Sequence, residues 1–225
     1  MRTDSRLGEE LCKLLREDYT LQKEELGADA HLKKNGMAFD TEAYTVEGLG
    51  HLCVMKMNAM LGLMKMETVV LAVTEKDVPL FNLDYVSAFG KETQIAELYD
   101  TQLSPWPESA QAAFEAIQSK NAGLPDAAAK GARWYDAILY PCSCHKTGKG
   151  LHEKLDALAL DYLRTFAAQL KDAPACDKAE KEERVRGFAE RLFAEGGPAV
   201  DQVTKLFGRE TAARLILRHM YGVKP

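Results

Sequence analysis

The spacing of apolar residues changes along the chain, and each change predicts a different secondary structure. Between residues 5 and 25, leucines recur at mostly three- and four-residue steps among many charges, which predicts an amphipathic N-terminal helix over 5–25. Residues 27–44 are polar and irregular. Residues 47–102 contain Pro79 as their sole proline and are interpreted as the strand-rich part of the chain.

The strand-rich part divides into four apolar runs, at about residues 48–57, 63–74, 79–89 and 92–101. The breaks between them, at Gly62, 75–77 and 90–91, are short enough for hairpin connections. Short connections favour consecutive antiparallel strands, so these runs predict a meander.

The second half of the chain returns mostly to helical spacing. A helix is predicted at about 108–121, followed by an apolar run at 134–144 that we interpret as a fifth strand. The helical C-terminal part, 150–222, contains helices at about 151–170, 178–194, 198–206 and 209–220. Strands followed by a series of helices predict an α+β fold, and the length of 225 residues fits a single domain over 1–225.

The composition of the chain argues against several kinds of partner. The net charge of −5 with interspersed signs argues against nucleic acid as a partner. No run of about 18 apolar residues predicts a membrane span, and no apolar signal segment follows Met1, so we expect a cytoplasmic protein without a membrane partner. The five cysteines are expected to be reduced thiols.

Asp84 is the most informative candidate residue. Alternation in the third run places Phe81 and Leu83 on one face and Asn82 and Asp84 on the other. Aspartate is disfavoured in the middle of a strand and needs solvent or a partner there. In an apolar cavity its pKa would rise towards the range useful for proton donation. The alternative is that Asp84 lies on the exposed face of an edge strand or makes a structural hydrogen bond.

Neighbouring runs supply further polar candidates. Lys65 and Glu67 share one face of the second run, and adjacent antiparallel strands would bring Glu67 and Asp84 into one polar cluster; surface salt bridging is the alternative. Glu97 and Tyr99 alternate with Leu98 in the fourth run, so the same polar face continues there if the register allows it.

Two other features carry weaker signals. Cys142-Ser143-Cys144-His145 lacks the second ligand pair of an ordinary zinc motif, so no metal is expected. The chain is rich in methionine between Met55 and Met66, which indicates core packing or, alternatively, a surface for a flat apolar ligand.

The segment Asp77-Val78-Pro79-Leu80-Phe81-Asn82-Leu83-Asp84, together with the order of elements, resembles the ferredoxin-dependent bilin reductase family. In that family an Asp-Leu-Pro-x-Phe segment leads into a strand, and an aspartate three residues later lies in the bilin pocket and takes part in protonation. The matching aspartate here is Asp84. Shorter similarities lie at 95–100, at 134–141 and at Phe207-Gly208, so the resemblance covers roughly 47–221 and suggests a divergent bacterial-type member.

The resemblance implies a three-layer α/β/α sandwich with a central antiparallel sheet and a linear tetrapyrrole, such as biliverdin, between the sheet and the C-terminal helices. Electrons would come singly from reduced ferredoxin, with no tightly bound cofactor. Asp84 would be the proton donor and Glu67, placed by an ungapped count where some members carry a histidine, its relay. The expected substrate-binding residues are Lys65, Asn82, Glu97, Tyr99, His145 and Lys146.

The basic propionate anchor of the family has no arginine at its position, where Pro141 and Cys142 stand, so His145, Lys146 and Lys149 are its candidate substitutes. A non-catalytic tetrapyrrole- or heme-binding protein on the same fold is the alternative function, and an unrelated α+β enzyme or interaction domain is a third. Red chlorophyll catabolite reductase has a similar architecture, so the substrate, the reduced bond and the oligomeric state stay open.

Overall fold

The computed structural model describes residues 6–128 and 133–224. Its strands are β1 (Leu21–Lys23), β2 (His31–Lys34), β3 (Met37–Val46), β4 (Gly50–Ala59), β5 (Met64–Val73), β6 (Leu80–Ala88), β7 (Lys91–Tyr99) and β8 (Cys144–Lys149). Its helices are α1 (Leu7–Leu15), α2 (Glu108–Lys120), α3 (His152–Asp172), α4 (Lys178–Glu195), α5 (Pro198–Phe207) and α6 (Arg209–Ala213). A π-helical turn, Arg214–Met220, continues α6.

Within the described chain, the eight strands form one antiparallel sheet in the order β1-β3-β4-β5-β6-β7-β8, and β2 pairs with β3 beside β1. Consecutive strands from β3 to β7 are neighbours, which confirms the predicted meander of four runs, now β4 to β7. The short connections explain this topology, because they allow antiparallel neighbours alone.

Helices cover both faces of the sheet. On one face, called here the inner face, α1, α2 and α3 pack against Phe81, Leu83 and the other residues of that alternation. On the opposite face, called here the site face, α4, α5 and the π-helical turn pack against Leu80, Met55 and Val70. The central strands therefore bury both sides, and the predicted α+β sandwich with a central antiparallel sheet is confirmed.

Three of the predicted elements were wrong. The helix predicted over 5–25 ends at Leu15, and Leu21–Lys23 is an edge strand. The segment interpreted as irregular, 27–44, contains β2 and most of β3. These two strands meet at Asn35-Gly36, where both residues have positive φ, of 52° and 74°, as a two-residue hairpin turn requires.

The third error concerns the apolar run 134–144, which was predicted to be a strand. Trp134–Ile138 is instead a short 3-10 helix, and β8 begins only at Cys144. The carboxylate of Asp136 accepts a hydrogen bond from the Arg133 backbone N–H at 2.7 Å, which holds the first turn of this helix. A short apolar run does not by itself distinguish a buried strand from a buried helical turn.

A search for membrane-spanning elements covered 6–128 and 133–224. None of the helices there combines the length and the apolar character that a crossing requires.

Candidate functional site

Asp84 lies in the middle of β6 on the site face. Thr68 stands directly opposite on β5, and its hydroxyl donates a hydrogen bond to the Asp84 carboxylate. The amide nitrogen of Asn82 donates to the other carboxylate oxygen at 3.1 Å. The carboxyl group is thus held by two donors on a sheet face that the C-terminal helices cover.

Burial raises the pKa of Asp84 to about 6, far above its ordinary value of 3.8. The hydrogen bonds from Thr68 and Asn82 and the charge of His145 oppose this rise, whereas the negative charge of Glu97 adds to it. A carboxyl group with this pKa exchanges a proton near neutral pH, which is the property that a general acid needs.

Glu97 is the second carboxylate of the site face and lies on β7 opposite Asn82. The Asn82 amide donates to Glu97 Oε2 at 3.2 Å, and the Tyr99 hydroxyl donates to the same oxygen. One asparagine amide therefore positions both carboxylates. Movement of either carboxylate would break a hydrogen bond to this network.

His145, on β8, completes this polar row. Its Nε2 lies 3.0 Å from Glu97 Oε1, within ion-pair distance. Contact with Glu97 raises the pKa of His145 above its ordinary value, against the effect of burial. The His145 side chain is 41% exposed and that of Glu97 only 10%, so the row runs from a partly exposed imidazole to a buried carboxylate.

Aromatic rings form a cover above the carboxylates. Tyr99 and Phe188 have ring centroids 4.7 Å apart, and Phe188 and Tyr221 have centroids 5.6 Å apart. Trp134 and Tyr135 extend the group on the side of the 3-10 helix. Burial raises the pKa of Tyr221, and the charges of Asp84 and Glu97 raise it further, so its hydroxyl stays protonated beside the two acids.

Beyond this aromatic cover, apolar side chains of the site face are partly exposed. Met64, Met66, Val86 and Ile95 alternate onto this face near the ends of their strands and are only half-buried. They form an apolar floor next to Asp84. A flat molecule with apolar faces and polar edges would match this combination of floor, rings and carboxyl groups.

Protein-family models and curated proteins give no match to the sequence. Among solved structures, the chain is similar to phytochromobilin synthase from tomato in complex with biliverdin, with a TM-score of 0.75 and 11% sequence identity. The match covers 97% of this chain and 83% of that chain. The chain has the bilin reductase fold. At 11% identity, this similarity concerns the fold alone.

Within the bilin reductase fold of this chain, Asn82, Glu97, Tyr99 and His145 lie with Asp84 on the site face. Their predicted roles in substrate binding stay predictions, but the structure does bring these side chains together. Lys149 alternates with His145 and also faces this side, at the end of β8.

Three predicted residues do not lie at the site, because adjacent residues of a strand face opposite sides. Glu67 pairs with Tyr85 on the inner face, so the predicted cluster with Asp84 does not form. Its carboxylate accepts hydrogen bonds from the backbone N–H groups of Leu7 at 3.2 Å and Gly8 at 3.0 Å. Glu67 therefore anchors the N-terminus of α1, where the helix dipole favours a negative charge.

Lys65 shares the inner face with Glu67, as predicted, and for that reason does not reach Asp84. Lys146 also points to the inner face, where its ammonium group lies 2.6 Å from Asp126. Cys142 and Cys144 are buried in the inner core, whereas His145 faces the other way. In the part of the chain that is described, no group of three or more His, Cys, Asp and Glu side chains is arranged to hold a metal ion.

Sequence reasoning missed Thr68, Tyr135, Phe188 and Tyr221. Thr68 follows Glu67 directly, so its partnership with Asp84 depends on a strand register that no local pattern reveals. Tyr221 comes from the last helical segment, and its approach to β6 is a purely tertiary contact. A separate hollow of about 620 Å³ between α1 and the β1–β3 edge is lined partly by charged side chains that pair with one another, such as Lys23 and Glu42.

Proposed function

We propose that the protein binds a linear tetrapyrrole between the sheet and the C-terminal helices and reduces it, with Asp84 as the proton donor. The observation that carries this proposal is the carboxyl group of Asp84, with a pKa of about 6, next to partly exposed apolar side chains. The shared fold with a protein whose structure contains biliverdin supports the same ligand class.

The chemistry of the ligand explains why these groups suit it. A linear tetrapyrrole has flat conjugated faces, pyrrole N–H groups and lactam oxygens at its edges, and carboxylate side chains. The floor of Met64, Met66 and Ile95 would contact a flat face, and Asp84 would meet the polar edge. Lys149 is the candidate partner for a propionate.

Reduction of one double bond consumes two electrons and two protons. A protonated pigment accepts an electron more readily, so proton donation from Asp84 would favour each electron transfer. We propose that a reduced ferredoxin supplies the electrons one at a time. His145 is protonated more readily than an ordinary histidine and is accessible, so it is the proposed source of the second proton.

The first test is an anaerobic assay of the purified protein with biliverdin and a reduced ferredoxin. We expect the absorption spectrum to shift on binding and then to change as the pigment is reduced. Asp84→Asn should bind the pigment and lose turnover by about 100-fold or more, the usual scale of a lost general acid. Asp172→Asn, which changes an exposed carboxylate on α3, is the matched control and should react at the wild-type rate.

The outcomes separate the functions. If the protein binds the pigment but no electron donor reduces it, the protein is a tetrapyrrole-binding protein on this fold and not a reductase. No spectral shift with biliverdin or heme would remove the tetrapyrrole altogether. Full turnover of Asp84→Asn would eliminate Asp84 as the donor.

A further inference from the structure

Three hairpin tips lie together at one end of the sheet, and we call this region the hairpin end. It consists of the tips of β2–β3 (residues 33–36), β4–β5 (60–63) and β6–β7 (89–90). The strand register joins the tips side by side, because Ala38 pairs with Asn58 and Met64 pairs with Ala88. The Phe89 backbone N–H also donates to the Leu63 carbonyl at 3.1 Å.

The hairpin end carries large apolar side chains that are mostly exposed. Met60 is 53% exposed, Leu61 105%, Leu63 59% and Phe89 63%, and these four are the exposed large hydrophobic residues of the described chain. Exposed apolar residues scattered singly are common, but a contiguous group indicates a binding surface.

The backbone of these tips is unusual for the residues that form it. Met60, Leu61 and Phe89 have φ values of 52°, 54° and 52°, a region that bulky residues rarely adopt. Glycine or asparagine would form such turns with less strain and without an exposed apolar side chain. These apolar side chains thus contribute little packing to the fold while their backbone adds strain to it, which is consistent with a role in binding rather than in stability.

The charge of the hairpin end is positive, in contrast to the chain as a whole. Lys33, Lys34, Lys65 and Lys91 flank the tips, whereas residues 31–37, 56–66 and 87–91 contain no Asp or Glu. The whole chain has a net charge of −5. A basic region with projecting apolar tips is complementary to a surface that is anionic and apolar beneath.

We propose that the hairpin end docks on an anionic lipid surface. The apolar tips enter the boundary between headgroups and acyl chains, and the lysines lie at the level of the phosphates. A bilayer accepts a group of projecting apolar side chains of any shape, whereas a protein partner needs a pocket that matches them. The sequence predicted no membrane partner because it contains no long apolar run. That argument excludes a membrane-spanning helix, but it does not exclude binding of hairpin tips to a membrane surface.

The test is co-sedimentation of the purified chain with vesicles, either of phosphatidylcholine alone or of phosphatidylcholine mixed with phosphatidylserine. We expect binding to the mixed vesicles, with weaker binding at high salt because salt screens the lysines. Neutral vesicles should bind at least about tenfold less, since each lysine near the surface contributes to the attraction.

Variants identify the surface. Leu61→Asp combined with Phe89→Asp should reduce the bound fraction by about tenfold or more, because charged tips oppose insertion. Thr20→Asp is the control, since Thr20 is exposed and lies at the opposite end of the sheet, next to the pairing of Leu21 with Val46. Circular dichroism melting of each variant checks that the fold is retained.

Each other outcome would overturn the proposal. Equal loss of binding with Thr20→Asp would show that general charge, and not the hairpin end, governs it. No binding to mixed vesicles would remove the lipid partner. If the double variant instead abolished self-association in gel filtration, with no vesicle binding, the hairpin end would be a contact between two copies of the chain. None of these readouts depends on a tetrapyrrole or on turnover.

Discussion

The neighbours of Asp84 act on its pKa in opposite directions. Burial and Glu97 favour its neutral form, while Thr68, Asn82 and His145 favour the charged form. The neutral form prevails up to a pH of about 6. The same carboxyl group is therefore both the candidate proton donor and a source of pH-dependent stability.

The first stability prediction concerns this pH dependence. In the unfolded chain Asp84 loses its proton near 3.8, and in the folded chain near 6, so the folded chain holds more protons between these values. Stability from this group is fully present below 3.8 and falls as the pH rises through 6. The contribution of Asp84 to the free energy of unfolding therefore decreases by ~3 kcal/mol from the acidic to the neutral end of this range. Calorimetric melting of Asp84→Asn should show a flatter stability curve from pH 4 to 7 than wild type.

Asp172→Asn provides the comparison for this curve, because Asp172 is exposed at the end of α3. It should reproduce the wild-type curve. An Asp84→Asn curve as steep as that of the wild type would mean that another buried group controls stability in this range.

The position of each residue within its strand explains which site residues could be found from the sequence. The separation of Asn82 and Asp84 from Phe81 and Leu83 follows from the period of two within one strand, and it needs no knowledge of the partner strand. Glu67 required the register of β5 on β6, and a shift of one residue exchanges the faces. Thr68 therefore occupies the position that Glu67 was expected to have.

Helix α1 is the element whose position depends most visibly on one side chain. Glu67 on β5 binds the first backbone N–H groups of α1, and Gly8 brings the helix close to β4. A Cβ atom on Gly8 would lie 2.4 Å from Val54 Cγ1, so the helix backbone lies against the strand. Both contacts concern the inner layer and leave the site face unchanged.

The prediction for this element uses Glu67→Gln. The substitution removes the negative charge at the helix N-terminus and replaces one of the two acceptor oxygens by an NH2 donor. We therefore expect the free energy of unfolding to fall by about 1–3 kcal/mol in urea titrations. Turnover of biliverdin should stay at the wild-type rate, because Glu67 lies on the opposite face from Asp84. A variant with normal stability and no turnover would instead restore Glu67 as a proton relay.

The helices and strands differ in how well the spacing of apolar residues predicted them. Helices α3 and α4 have long amphipathic periods and were found almost to their ends. Strands β2 and β3 were missed, because β2 lies at the sheet edge with exposed lysines and lacks the apolar alternation of a half-buried strand. The Asn35-Gly36 dipeptide was the local signal for their hairpin.

At the scale of the whole molecule, a buried lysine joins the C-terminal layer to the sheet. Lys181 on α4 donates hydrogen bonds to the carbonyls of Val78 at 2.7 Å and Thr101 at 2.8 Å, and it lies 3.6 Å from Asp77. Burial lowers the pKa of Lys181 to about 8, with Asp77 opposing the change. The Asp77 carboxylate also accepts hydrogen bonds from two backbone N–H groups, of Leu103 and Ser104.

Lys181→Met removes the ammonium group and leaves its buried partners unsatisfied, so we expect a loss of about 3–5 kcal/mol in stability. Hydrogen exchange should increase first in α4 and α5, since this contact holds the layer above the site. Lys178→Met, which breaks an exposed ion pair with Glu75, is the control and should cost less than about 1 kcal/mol. Uniform exchange across both layers would contradict a local role for Lys181.

The π-helical turn Arg214–Met220 immediately precedes Tyr221, whose backbone N–H bonds to the carbonyl of Ile216, five residues earlier. Such turns contain one residue more than an α-helix of the same height. A regular α-helix with the same number of residues would rotate everything after this stretch by about 100°. The tyrosine ring would then turn away from β6, so the wider turn sets the direction in which Tyr221 faces Asp84 and Glu97.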